Sequence, residues 1–377
     1  MLQFTRFLML LPLLATCCTK NTKPTPAPAT LQIFVGTYTE KLGHVDGKAT
    51  GIYTCQLDTI TGTLTVTDSV TDIANPSYVT LSPDKKVLYA VGENGGKPTL
   101  PYGSVAAYSI SEKGKLTKIN EVPSYGIAPC HVSTDRAGKF VFVANYATGN
   151  VLSYGIKPDG GLSDSLCMHK HAGKEPFAHQ VYPSPDNRLL YAVDKGADGV
   201  FTYKIEDAGL LTLLHKTPAA KGSGPRHLDF NPKNDNQLAV IRENNSTLAV
   251  YQLDKATGNL ICTDSSSTLP VGFTENNSCA DVHYHPNGRF VYGSNRGHNS
   301  IAIFEISAEG RLKSIGHVAS GGTIPRSFMI TPDGKWMLVA NQNSSTVQVY
   351  RLDEKTGMPT PVGKPAYVAT PVCLKLR

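Results

Sequence analysis

The sequence predicts an all-β fold, a seven-bladed β-propeller whose ring is closed by a C-terminal strand that completes the first blade. Three observations lead there. First, one pattern of turn, apolar alternation, polar tip and second alternation recurs along the 377-residue chain, most clearly as GRFVYGSNRGHNSIAIFEI at 288–306. Variants begin at residues 31, 85, 138, 187, 236 and 334. Aligning the polar residue that ends each first alternation gives Tyr38, Gly92, Asn145, Asp194, Glu243, Asn295 and Asn341, spaced 54, 53, 49, 49, 52 and 46 residues apart. A period near 50 residues is the mark of a repeat architecture. Second, each unit divides into four period-two runs rich in Val, Tyr, Phe and Ile, punctuated by Gly, Pro, Asp and Asn. In the second unit these runs are PSYVTLSP, KVLYAVGEN, GSVAAYSI and KLTKINEV. Such runs make antiparallel sheet, and four short strands repeated around a closed ring make a propeller. Third, the first unit lacks its inner strand, and a matching segment, ATPVCLKLR, stands at residues 369–377. Without that clasp the ring would leave two unpaired sheet edges.

Taken in order, the chain opens with MLQFTRFLMLLPLLATCC. One arginine and an apolar run too short to span a bilayer read as an export signal over 1–18. LeuAlaThrCys ending at Cys17 resembles a bacterial lipoprotein box, with Cys17 as the lipid acceptor, Cys18 as an alternative, and a plain cleaved signal as the simpler reading. Residues 19–30, rich in Pro and Thr, form a tether, and the propeller occupies 31–377. The other six cysteines lie far apart without CxxC spacing, so neither zinc nor a disulfide is expected. His283 and His285 share a strand face, but no third ligand is in view.

Composition narrows function. A net charge of +6 with scattered basic residues gives no track for nucleic acid. There is no P-loop, no GxGxxG between strand and helix, and no GxSxG elbow, and a single Trp with no WD dipeptide argues against a WD40 scaffold. No cofactor motif is present. The membrane enters only through the lipid anchor.

Chemistry concentrates at one mouth of the ring. The start of each inner strand and the end of the second lie at the same mouth, because the two run antiparallel. The starts are Ser77, Cys130, His179, Arg226, Ala280 and Arg326, and the ends add Asn145, Asp194, Glu243, Asn295, Arg296, His298 and Asn341. An Arg inside an apolar strand must be solvated or paired. It serves either in an ion pair with Asp194 or Glu243, or as a fork for a carboxylate or phosphate. Glu243 is either a general base or a partner that positions Arg226. Strict alternation turns His131 and His227, one position further along, the other way.

GPRHLDFNP, ADVHYHPNGRFVYGSNRGHNSIAIFEI and IPRSFMITPDGKWMLVANQNSSTVQVY resemble the motifs of the seven-bladed lactonase family, which includes propeller-type 6-phosphogluconolactonases and the fungal carboxy-cis,cis-muconate lactonising enzyme. The resemblance runs from Leu31 to Arg377. It implies a catalytic His, Glu and two Arg, which fall on His179, Glu243, Arg226 and Arg296. Arg326, His131, His298, Asn145 and Asn341, at or beside the same mouth, are expected to contact substrate. The implied activity is hydrolysis of an anionic sugar-acid lactone, with the arginines holding the anion, His179 polarising the carbonyl or protonating the leaving oxygen, and Glu243 activating water. A muconate-type cycloisomerase, or a non-catalytic exported propeller that binds an anionic glycan or peptide, would use the same mouth.

Overall fold

The computed structural model describes residues 1–2, 29–173 and 175–377; Cys17 and Cys18 lie outside them. Among the described residues there are seven four-stranded antiparallel sheets, one two-stranded hairpin and no helix. The third blade shows the plan: an inner strand Pro129–Thr134, a second strand Phe140–Asn145, a third Asn150–Ile156 and an outer strand Leu162–Lys170. Burial along it follows position. Phe140–Asn145 is buried on both faces because neighbouring blades pack against each side, whereas Leu162–Lys170 alternates between covered and open residues. The inner and second strands are joined by a tight turn. Asp84, Asp186 and Asp333 accept from Ser82, Ser184 and Thr331 at 2.6, 2.6 and 2.5 Å. The turn's left-handed position is held by Lys85, Gly138, Asn187, Gly288 and Gly334.

The ring closes as the sequence implies. Pro371–Leu376 pairs with Thr30–Thr37, in register Val35 with Leu374 and Ile33 with Leu376, and forms the inner strand of the first blade. Gly36 lies where blades one and two meet, and a Cβ there would sit 2.7 Å from the Pro76 carbonyl oxygen. That carbonyl accepts a hydrogen bond from Thr37 N at 2.8 Å.

Two features differ from the sequence reading. Residues 41–46 form a hairpin, Lys41–Leu42 against Val45–Asp46, between the second and third strands of blade one. Its base is held by Asn75 Oδ1, which accepts from Thr39 N and Glu40 N, both at 3.0 Å. The second difference is a one-residue offset. Pro129, Ala178 and Pro325 pair with Asn145, Asp194 and Asn341, but Pro225 pairs with Arg242 and Pro371 with Thr37. Glu243 and Tyr38 therefore stand one step beyond the strand ends with which the sequence alignment grouped them.

Candidate active site

Proline, backbone strain and a β-bulge together aim side chains at the mouth. In four blades the inner strand begins with proline, at Pro129, Pro225, Pro325 and Pro371, and in blade two Pro76 stands three residues ahead of the inner strand Val79–Leu81. The residue before each is left-handed: Asn75, Ala128, Gly224, Ile324 and Thr370, at φ of 49, 55, 61, 61 and 39°. For a β-branched residue such as Ile324 this conformation costs about 1–3 kcal/mol and persists only where the surroundings impose it. The ladder then skips one or two residues. It breaks between Pro129 and His131, Ala178 and Gln180, Pro225 and His227, Cys279 and Val282, and Pro325 and Ser327. The skipped residues include Cys130, His179, Arg226, Ala280 and Arg326. A bulge leaves a residue unpaired and re-aims it, so these side chains form the inner ring of the site.

A second ring comes from Tyr38, Glu93, Tyr146, Lys195, Glu243 and Gln342, each just past a second strand, and from Arg296, which ends the second strand of blade six and pairs with Ser278. The register given above makes them equivalent. His179, Arg226, Glu243, Arg296 and Arg326 line one cavity of about 480 Å³, which Glu93, Tyr146 and Gln342 also border.

Charge organises the cavity. Glu243 is held by three cations: Lys195 Nζ at 2.7 Å, Arg226 Nε at 3.0 Å and Arg296 at 3.1 Å. Burial alone would raise its pKa, but Arg296, Arg226 and Lys195 outweigh burial and lower it to about 2. Arg226 also donates to the Ala280 carbonyl, and Arg296 to that of Cys279 at 2.9 Å. Arg296 is lowered to about 10, chiefly by burial and then by Arg226, and stays charged at neutral pH. Across the mouth Arg326 donates to Tyr38 Oη at 3.1 Å, and that hydroxyl donates to Glu93 Oε2 at 2.8 Å. Burial raises the Glu93 carboxyl, against the pull of Arg326. His179 is held well below the usual imidazole range, first by burial and then by Arg226. Its ring meets Tyr146 edge to face at 5.6 Å.

Four sequence expectations change. Asn145 and Asn341 do not line the cavity: their Nδ2 groups donate to the Ser124 and Ser320 carbonyls at 3.0 and 2.9 Å, tying the second strand to the end of the preceding blade's outer strand. Asn295 makes the same tie to Thr268 at 2.7 Å. His298 also stays off the cavity, with Nδ1 2.6 Å from Ser300 Oγ and its ring against Phe273 and His317. His131 lies deeper in the channel, its ring 4.1 Å from that of Tyr78 and tilted against it by 36°. Nor does it point away from the channel: its ring is 5.8 Å from that of His227, because the bulge before both cancels simple alternation. The sequence reading missed Glu93, Lys195 and Tyr146, which appear once the end column moves one residue on, and gave no role to Tyr38, which already stood in that column. It also missed His44, which the unpredicted hairpin brings to the cavity rim. His283 pairs with Asp281 at 3.3 Å and with Asp229 at 3.6 Å.

Three guanidinium groups, a lysine, two carboxylates and an uncharged imidazole thus gather at one mouth of the propeller. The chain belongs to the seven-bladed β-propeller lactonase family, whose model matches residues 32–376. It is 33% identical over 351 residues to the 6-phosphogluconolactonase of Bacillus subtilis (strain 168), covering 91% of this chain and 97% of that one. A 6-phosphogluconolactonase of Formosa agariphila is 33% identical over 341 residues, covering 86% of this chain and 93% of the relative. Among solved structures, the periplasmic gluconolactonase of Pseudomonas aeruginosa superposes with a TM-score of 0.84 at 30% identity, covering 92% of this chain and 99% of that one.

Proposed function

We propose that this lactonase hydrolyses the ring ester of an anionic sugar-acid lactone of the 6-phosphogluconolactone type, with His179 as the base. The observation that carries this reading is the charge of the cavity: Arg226, Arg296 and Arg326 all border it, against Glu243 and Glu93. That surplus of positive charge suits a phosphate or carboxylate, and in a half-enclosed mouth it also suits the oxyanion that forms when water adds to the lactone carbonyl.

The chemistry follows from the two perturbed groups. Glu243, lowered to about 2, is too weak a base to take a proton from water efficiently. Its work is to hold Lys195, Arg226 and Arg296 in position. His179 is uncharged, and with its Nδ1 buried, Nε2 is the nitrogen available to a ligand. It takes a proton from the attacking water as the water oxygen bonds to the carbonyl carbon. The imidazolium then returns that proton to the ring oxygen as the C–O bond breaks, leaving a hydroxy acid.

We further propose that the chain is exported and anchored through a lipid on Cys17, so that the lactone it meets lies outside the cytosol. The N-terminal export signal supports this, as does the likeness to a periplasmic gluconolactonase.

The test is acid release in a pH-stat from 6-phosphogluconolactone, glucono-δ-lactone and carboxymuconolactone. Hydrolysis that favours the phosphorylated lactone, with kcat lowered ~10²–10⁴-fold in His179→Asn, is expected. Interconversion of the muconate pair without net hydrolysis would assign the cycloisomerase reaction. Binding of the anions without turnover of any would leave a non-catalytic propeller.

A further inference from the structure

Beneath the main cavity is a second one of about 10 Å³, bordered by His179, His227, Ser77 and Glu93. A water needs roughly 10–15 Å³ and two to four polar partners. Among the buried atoms at this spot that make no hydrogen bond are His179 Nδ1, His227 Nε2 and the Ser77 hydroxyl. The two rings stand 5.1 Å apart at 70° and do not bond each other.

The far side of His227 is fully committed. Its Nδ1 lies 2.8 Å from Asp281 Oδ1. Asp281 is fixed in turn by Val282 N at 3.1 Å, Phe328 N at 3.3 Å and His283 Nε2 at 3.3 Å. Burial would favour its neutral form, but His283 and His227 overcome this and keep it ionised. A carboxylate only accepts, so His227 Nδ1 carries the hydrogen. His227 itself is lowered to about 4 by burial and then by Arg226, so at neutral pH its Nε2 is a lone pair.

We propose that His227 is a positioning residue for His179, joined to it through one water bound in the small cavity, and that this chain fixes the tautomer of the base. The water donates one hydrogen to His227 Nε2. Its oxygen then accepts from His179 Nδ1–H, which leaves the His179 Nε2 lone pair facing the substrate. The order is Asp281 carboxylate, His227, water, His179. It does for this imidazole what a buried carboxylate does for a base it touches directly, selecting the ring nitrogen that acts. The chain crosses blades four, five and six, so its parts come from inner strands about 50 residues apart in sequence. The proposal rests on His179 being the base.

The experiment is imidazole ¹⁵N NMR on the full chain labelled at histidine, with the His179 signals identified by their loss in His179→Gln. The wild-type protein should show His179 as the Nδ1–H tautomer at pH 7. His227→Leu should move it toward Nε2–H and lower kcat ~10- to 100-fold with KM little changed. His227→Gln, which still offers the water a polar group, should restore the tautomer and most of kcat. A wild-type His179 in the Nε2–H form overturns the proposal without any variant. So does a tautomer that His227→Leu leaves unchanged. Because the tautomer is read without substrate, it stands or falls separately from the identity of the lactone.

Discussion

Replacing Glu243 with Gln tests the electrostatic logic of the site most directly. The side chain is 14% exposed and faces Lys195, Arg226 and Arg296. Its pKa falls from 4.5 to about 2. A group whose folded pKa is depressed contributes stability that is present above its unfolded value and lost as pH falls through the folded one. Here the window runs from 4.5 down to about 2. The difference of 2.5 units, at 1.36 kcal/mol each, corresponds to about 3 kcal/mol at neutral pH. Glu243→Gln removes that contribution and leaves three cations facing one another. The variant should therefore lose about 3 kcal/mol in urea unfolding at pH 7, and the gap to wild type should shrink by more than half at pH 3. The freed cations should also bind inorganic phosphate more tightly, read by calorimetry. A variant as stable as wild type at pH 7, or a gap unchanged at pH 3, would refute the view that Glu243 exists chiefly to hold the cations.

Other expectations follow from the same geometry. Arg326→Met removes a guanidinium whose hydrogen bonds among the described residues go to Tyr38 and Gln342. It should raise KM for a phosphorylated lactone by ~10- to 150-fold, the equivalent of about 1.5–3 kcal/mol, while a neutral lactone loses little; an unchanged ratio between the two would remove Arg326 from anion binding. Deleting residues 369–377 strips the inner strand from blade one and should yield aggregated protein, whereas a truncated chain that melts with the full-length one would contradict closure by that strand. Cys17→Ala combined with Cys18→Ala should move the protein from the membrane to the soluble fraction, and a double variant that still sediments with membranes would end the lipid-anchor reading.

The blades were legible because period-two alternation is a local signal repeated in seven units, with Asp-bearing turns at Asp84, Asp186 and Asp333 among its punctuation. Closure was legible because an inner strand missing at one end had its counterpart at the other. The site was legible in its membership, since Arg226, Arg326 and His179 break an apolar strand start where nothing in packing asks for a charge. Its finer geometry was not. Period two assumes an unbroken ladder, and the bulge at each inner strand breaks it at the mouth, which is why His131 and His227 turn into the channel. The alignment also could not distinguish the last paired residue from the one beyond. Asn145 and Asn341, which end the ladder, therefore stood in for Tyr146 and Gln342, which face the cavity. The hairpin at 41–46 has strands of two residues, too short for any alternation to register.

The inner ring has a consequence for how such a protein changes over time. Val372, Cys130, His179, Arg226, Ala280 and Arg326 are skipped by the ladder at one equivalent position, Ser77 follows Asn75 and Pro76 as Cys130 follows Ala128 and Pro129, and that position accepts a valine, a thiol, an imidazole and a guanidinium alike. The bend there is set by main-chain geometry rather than by what the side chain contacts. Chemistry at the mouth can thus be rewritten one spoke at a time while the blades keep their register. Inheritance of the scaffold and inheritance of the substrate are separable in this chain, and a relative could exchange one anion for another by replacing a few of these seven residues.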